Sequence, residues 1–314
     1  LQAIESLLGG SGHMGHLATM LKKAVERNPK SVSLYKSFGF ALMLLRRWNE
    51  ASIVLQHMIK HFEPQIPMEE QSKINQWIGM CLNKCKRHSE AVPFLEKSVN
   101  TNPDEVLTHE YLVEAYLKTR DFDKAQSLLH HVLSIMQPGS HSATMLMGEL
   151  FLLTKNYEEA IDTVRAVLEK LRNRQGQIKP GTKTQELFVR GLQIQSTALF
   201  ELGQVDEAIT AVEAAINMNP MDPADLLVTK AHYLLLDIGP QHAETYVDRA
   251  LAADHNHFEA LITKATIQIE FNQNPRAAFA TISKLLSLSP PPQVKERALL
   301  IHSKCLQSMP EQQK

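Results

Sequence analysis

The stretch Gly79-Met80-Cys81-Leu82-Asn83-Lys84-Cys85-Lys86-Arg87-His88-Ser89-Glu90-Ala91-Val92-Pro93-Phe94-Leu95, closed by Pro103, reads as the end of one helix, a polar turn and a second helix. Gly79 supplies a site with little side chain, which lets a partner helix approach closely. Leu82, three residues on, and Leu95, four residues past Ala91, fall on one apolar stripe. Pro103 forbids further helix, because proline lacks the amide donor and clashes with the preceding turn. The same pattern recurs in both directions. Alanines that open a helical stretch stand at Ala51, Ala91, Ala125, Ala160, Ala208, Ala243 and Ala278, at steps of 40, 34, 35, 48, 35 and 35 residues. Four of the six steps match the period of a helix–turn–helix array.

Upstream of each alanine a small or polar residue repeats as Gly39, Gly79, Gly148, Ser196, Ala231 and Thr266, with Val113 as the exception. A large apolar residue follows it at Leu42, Leu82, Tyr116, Phe151, Leu199, Leu234 or Ile269, and another follows the alanine at Leu55, Leu95, Leu129, Val164, Val212, Val247 or Ile282. These residues interlock as the core of an amphipathic helix pair.

Carried by Gly79 to Pro103, by Gly203-Gln204-Val205-Asp206-Glu207-Ala208 to Pro220, by Tyr116 to Ala125 and by Asn156-Tyr157-Glu158-Glu159-Ala160, the chain resembles the tetratricopeptide repeat family. The resemblance covers residues 17–307 and implies an all-α, right-handed α-solenoid of about seven helix–turn–helix repeats. It also implies a non-catalytic binding surface. The family's usual tryptophan is replaced by Tyr35, Asn75, His109, Thr144, Leu192, Leu227 and Ile262, and Lys230 and Ala265 stand where leucine is usual.

A solenoid accommodates 314 residues readily, because each unit packs only on its neighbours. A formal net charge of −1 supplies no bulk attraction to nucleic acid or anionic membrane. Basic residues are dispersed and aromatic content is 6%, which argues against a nucleic-acid platform. No apolar run approaches the ~18–20 residues of a membrane span. Three cysteines argue against a disulfide framework and are compatible with the cytoplasm or nucleus.

The sequence holds no phosphate loop, no nucleophile elbow and no zinc helix. Cys81, Cys85 and His88 offer at most three ligands where structural zinc takes four, so no metal and no cofactor are expected. The acid pairs Glu158-Glu159 and Glu69-Glu70 lie in turns, with nothing placing a second carboxylate against them. The chain is therefore read as not an enzyme.

The first residues fall outside the repeat. Gly9-Gly10-Ser11-Gly12 has a flexible spacer composition and His13-Met14 is what a common cloning site encodes, so residues 9–16 read as linker and cloning scar. Residues 1–8, Leu1-Gln2-Ala3-Ile4-Glu5-Ser6-Leu7-Leu8, place Leu1, Ile4 and Leu8 on one helical stripe flanked by Leu7. They read as a partner's short helical motif fused ahead of its receptor, with residual vector sequence as the alternative. Residues 17–29 read as a half-repeat, 294–306 as a capping helix and 308–314 as a tail. Two insertions interrupt the period. One is the lengthened loop of Glu63 to Glu70; the other carries Lys170, Arg172, Arg174, Lys179 and Lys183, read as a helix extension plus linker or as a basic docking loop.

In the family, positions five, nine and twelve of successive first helices line a concave groove. Carried over by register, these are Lys36, Phe40 and Met43; Gln76, Met80 and Asn83; Glu110, Glu114 and Leu117; and Met145, Glu149 and Leu152. Three further sets follow: Gln193, Thr197 and Phe200; Val228, His232 and Leu235; Thr263, Ile267 and Glu270. Apolar and methionine side chains dominate, which suits a short amphipathic helix of a partner protein, the motif LQAIESLL being one candidate. Charge register at Lys36, Lys73, Glu110, Glu114 and Glu149 is expected to set specificity. The family's clamp for heat-shock chaperone carboxylates is not expected. Phe40 stands where it needs asparagine, Trp77 occupies position six of the next unit, and Leu107 and Leu112 replace its two bases. Two other readings remain open: an architectural subunit packed permanently in a complex or pairing with itself, and the targeting module of a larger enzyme.

Overall fold

All seven anchor alanines are fully buried in the first turn of a helix, and six of those helices pack against the helix before them within the same unit. The computed structural model describes residues 11–172, 178, 182–218 and 223–309, with side chains from Gly15 onward. Among these residues there are sixteen α-helices and no strand. The chain forms an all-α solenoid-type array and divides into two units, Leu1–Thr154 and Lys155–Lys314.

The first unit holds α1 (Ser11–Arg27), α2 (Val32–Leu44), α3 (Trp48–Phe62), α4 (Met68–Lys84), α5 (His88–Thr101), α6 (Val106–Thr119), α7 (Phe122–His131) and α8 (His141–Leu153). One continuous core runs from Leu42 through Leu55, Leu82, Leu95, Val113 and Leu129 to Leu150. The small sites work as their spacing predicts. A Cβ built on Gly39 would lie 2.6 Å from Leu55 Cδ2, and one on Gly79 would lie 2.3 Å from Leu95 Cγ. The lengthened loop after α3 is not loose. It forms a 3-10 turn at Glu63–Gln65, and the Gln71 side-chain amide donates to the carbonyls of Glu63 and Ile66 at 2.9 and 2.8 Å.

One regularity was not read from the sequence. Five residues before the anchor alanine the backbone turns left-handed, at Arg46 (φ 57°), Lys86 (60°), Arg120 (65°), Lys155 (66°), Gly203 (79°) and Gln273 (49°). The next amide then reaches back to the large apolar residue of the first helix: Arg47 to Leu42 O, Arg87 to Leu82 O and Gln204 to Leu199 O, each at 2.9 Å. This is the hydrogen bond that ends a helix and frees the chain to reverse. Only glycine takes that conformation without a Cβ penalty. Lys86→Gly should therefore stabilise the first unit by up to ~1 kcal/mol, the relief of left-handed strain exceeding glycine's added chain entropy. A higher denaturant midpoint at unchanged slope is the expected readout, and a lower midpoint contradicts it.

The second unit holds α9 (Tyr157–Leu171), α10 (Lys183–Glu201), α11 (Val205–Met218), α12 (Ala224–Asp237), α13 (Pro240–Ala253), α14 (Phe258–Thr266), α15 (Pro275–Ser287) and α16 (Pro292–Ser308). Lys230, which breaks the leucine pattern, is only 5% exposed and is matched by its neighbours. Its ammonium pairs with Glu213, donates to the Tyr246 hydroxyl at 2.7 Å and lies 4.0 Å from the centre of that ring. Burial alone would lower its pKa, but the Glu213 and Tyr246 bonds outweigh burial and raise it. The capping helix is α16. Its Ala298 and Cys305 are buried against Leu261, Ile282 and Leu285, while Leu299 and Leu300 face outward.

Of residues 9–16, read as spacer, 9 and 10 lie outside the described residues, while 11–16 are helical and continuous with the half-repeat. Their glycines lower helix propensity, but the apolar positions of Leu17 to Val25 extend a helix that needs only continuation, which costs less than nucleation. The partner-motif reading of residues 1–8 and the tail at 310–314 lie outside the described residues, as does most of the basic insertion between Leu171 and Lys183.

Candidate functional site

In the first unit the first helices of successive pairs, α2, α4, α6 and α8, are cross-bonded in order. Lys36 pairs with Glu70. Gln76 Nε2 donates to Thr108 Oγ1 at 2.7 Å, and Asn83 Nδ2 donates to the Tyr111 carbonyl at 2.9 Å. The Glu110 carboxylate accepts from Ser140 Oγ at 3.1 Å and Ser142 Oγ at 2.9 Å, and Lys118 Nζ reaches Glu149 Oε1 at 2.7 Å. These polar side chains join repeat to repeat.

That bonding corrects part of the groove expectation. Met43, Gln76, Asn83, Leu117, Met145 and Glu149 are buried, Leu117 to 2% and Met145 to 0% exposure. Gln76 at position five and Asn83 at position twelve are held in the seam where neighbouring first helices meet, each bonded to the next helix. Glu149, at position nine, is drawn into the same seam by Lys118. Lys36, Phe40, Lys73, Met80, Glu110, Glu114 and Leu152 keep some or all of their exposure. Of the charged residues expected to set specificity, Lys36, Glu110 and Glu149 are engaged within the chain. Lys73 and Glu114 have neither hydrogen bond nor ion pair among the described residues.

Two aromatic residues join the accessible set without having been predicted. Trp77 is half-buried, its ring 5.6 Å from Phe40 and tilted by 53°. Tyr111 packs half-buried against the core, its hydroxyl pushed up to about 12 by burial and by Glu114 and Glu110. Trp77 was visible in the sequence only as the residue that blocks a carboxylate clamp. The signal for its role is its place one helix along from Phe40. Phe40 meets Trp77 across the two helices, Met80 follows Trp77 by one turn on α4 and Lys73 precedes it by one turn, a partly exposed apolar ridge by register, with Glu114 on α6, the next first helix.

Burial pushes the Cys81 thiol up to about 12, with Cys85 adding to the shift, so it stays protonated. His88 is held below its ordinary value, chiefly by burial, against a partial counter-pull from Glu114. Its Nδ1 lies 3.2 Å from Asn83 Oδ1. Among the described residues no three His, Cys, Asp or Glu side chains are placed to hold a metal ion. No described helix is long and apolar enough to cross a membrane.

Away from this face, a cavity of about 610 Å³ lies against α5, α6 and α7 and is lined by Val99, Leu112, Tyr116, Leu128 and Lys124. The Tyr116 hydroxyl donates to Glu96 there at 2.6 Å. In the second unit Phe200 stacks on Tyr233 at 4.3 Å with His232 at 6.2 Å. Ile267 is fully buried, against its groove assignment, and Glu270 pairs with Lys304 at 3.1 Å.

Sequence models described as tetratricopeptide repeat match residues 112–177 and, separately, residues 72–105 and 189–221. The human DnaJ homolog subfamily C member 7 is 22% identical over 204 residues, which cover 63% of this chain and 38% of that protein. The chain thus spans less than two fifths of that relative. A solved tetratricopeptide repeat protein from Parabacteroides merdae superposes with a TM-score of 0.63 at 14% identity, over 88% of this chain and 98% of that one. The APC/C hetero-tetramer Cut9–Hcn1 does so with a TM-score of 0.57 at 14% identity, over 93% of this chain and 52% of that one. These likenesses report the fold. With repeat models on three stretches and a buried alanine opening the second helix at each anchor position, the chain is identified as carrying tetratricopeptide repeats.

Proposed function

We propose that the first-helix face of the first unit binds a short apolar helical segment of another protein, making the chain a non-catalytic adaptor or assembly subunit. Tetratricopeptide folds are protein–protein interaction scaffolds, and the neighbour Cut9 belongs to a hetero-tetramer with Hcn1. The observation that carries the reading is the ridge of Phe40, Trp77 and Met80, left partly uncovered beside a face whose other polar groups bond one another. Aromatic side chains are the commonest anchors of protein interfaces, and methionine adapts to irregular apolar partners. Lys73 and Glu114, the uncommitted charges, set the partner's register.

Met80→Glu tests this reading. Placing a carboxylate on the ridge should weaken partner capture at least ~30-fold, the loss of a central contact worth ~2 kcal/mol. Helical content and melting should stay near those of the parent, because Met80 is only partly buried. The check is quantitative co-purification of the same partners with parent and variant chains; equal recovery rejects the face.

A further inference from the structure

We infer that the occupant of this face is the chain's leading segment, residues 1–8, laid along Phe40, Trp77 and Met80 with Glu5 opposite Lys73. The inference rests on the reading of the first-helix face as a binding surface and deepens it by naming what binds.

Three observations converge. The segment carries apolar residues at Leu1, Ile4, Leu7 and Leu8 and a single charged side chain, Glu5. As a helix it presents one oily stripe with one acid beside it. The face offers the complement, an apolar ridge with an exposed lysine at its edge. Lys36 is engaged by Glu70, whereas Lys73 has no carboxylate partner among the described residues, although Glu69 stands one helical turn before it. The third observation is the length of the tether. Leu8 stands three residues before Ser11, the first described residue of α1. Three Cα steps span at most ~11 Å. So short a tether keeps the segment close to α1, which packs on α2, the helix that carries Phe40. Delivery within one chain or from a neighbouring copy uses the same chemistry, and tethering raises the effective concentration to about the millimolar range.

Trp77 is a built-in reporter, since the chain has two tryptophans and Trp48→Phe leaves it alone. In that background, Ile4→Asp with Leu8→Asp should shift Trp77 emission to the red as the ridge meets water. Lys73→Glu should produce part of the same shift, reducing occupancy up to ~5-fold as expected for one exposed ion pair. Adding Glu5→Lys to Lys73→Glu should restore the parent spectrum. Synthetic LQAIESLL added to the Ile4→Asp, Leu8→Asp chain should reverse the red shift saturably. A shift that fades on dilution assigns delivery to a second copy, and one that persists assigns it to the same chain; either supports the occupant. A Trp77 spectrum indifferent to all leading-segment changes overturns it. If Met80→Glu still abolishes partner capture in that case, the face survives without this occupant; if capture is also indifferent, both readings fall.

Discussion

Leu117→Glu should unfold the first unit, although the family register places Leu117 on the ligand side where a carboxylate would be tolerated. The side chain is 2% exposed and belongs to the core that runs from Leu42 to Leu150. Glutamate there loses the leucine's packing and must either bury a charge or take up a proton. Large-to-small changes at such sites cost ~2–5 kcal/mol before the polar group is counted, and an unpaired buried polar group adds at least ~1 kcal/mol. Against a domain stability of about 5–15 kcal/mol, that removes much of the margin. Circular dichroism should show an early transition attributable to the first unit. Met80→Glu, at position nine of the neighbouring first helix, should not. A Leu117→Glu variant melting within ~1 kcal/mol of the parent would show that the position faces solvent after all.

Gly79→Ala should also destabilise, against helix propensity. Alanine is favoured over glycine by about 1 kcal/mol in a helix interior, so a free site would gain. Here the added Cβ would stand 2.3 Å from Leu95 Cγ and 2.5 Å from Leu95 Cδ2. The Cγ is a branch point, so no rotation of a chain end relieves the clash, and α4 and α5 must separate. Overpacking of this kind costs ~1–3 kcal/mol, with the propensity gain already offset. Leu95→Ala alone should cost ~2–5 kcal/mol through the cavity it leaves. In the double variant the new methyl fills part of that cavity, so the two losses should sum to less than their parts. Strict additivity in denaturant titrations would mean that the helices do not meet at Gly79.

The fold was legible because its determinants are local and recur. Buried alanine, facing glycine and large apolar residues at fixed offsets each answer one steric demand of a helix pair, and repetition made the offsets visible. The binding face was legible only in part, because it depends on contacts between pairs. Nothing within one repeat says that Gln76 meets Thr108, that Asn83 meets the Tyr111 carbonyl, or that Lys118 draws Glu149 inward. Position nine stayed accessible at Phe40, Met80 and Glu114 but not at Glu149, whereas positions five and twelve were buried at Met43, Gln76, Asn83, Leu117 and Met145. Lys230 shows the same limit: a broken leucine pattern read as degeneracy proves to be a buried cation with its own carboxylate and phenol.

The depth at which the sulfur atoms sit has a practical outcome. Cys81 is sealed in the core of the first unit and Cys305 in that of the second, each fully enclosed, while Cys85 is half-open. A thiol-specific dye must wait for the surrounding helices to breathe before it reaches either enclosed sulfur. Its rate of entry at Cys81 and Cys305 is therefore a separate clock for each half of the molecule, readable by mass spectrometry without adding any label site.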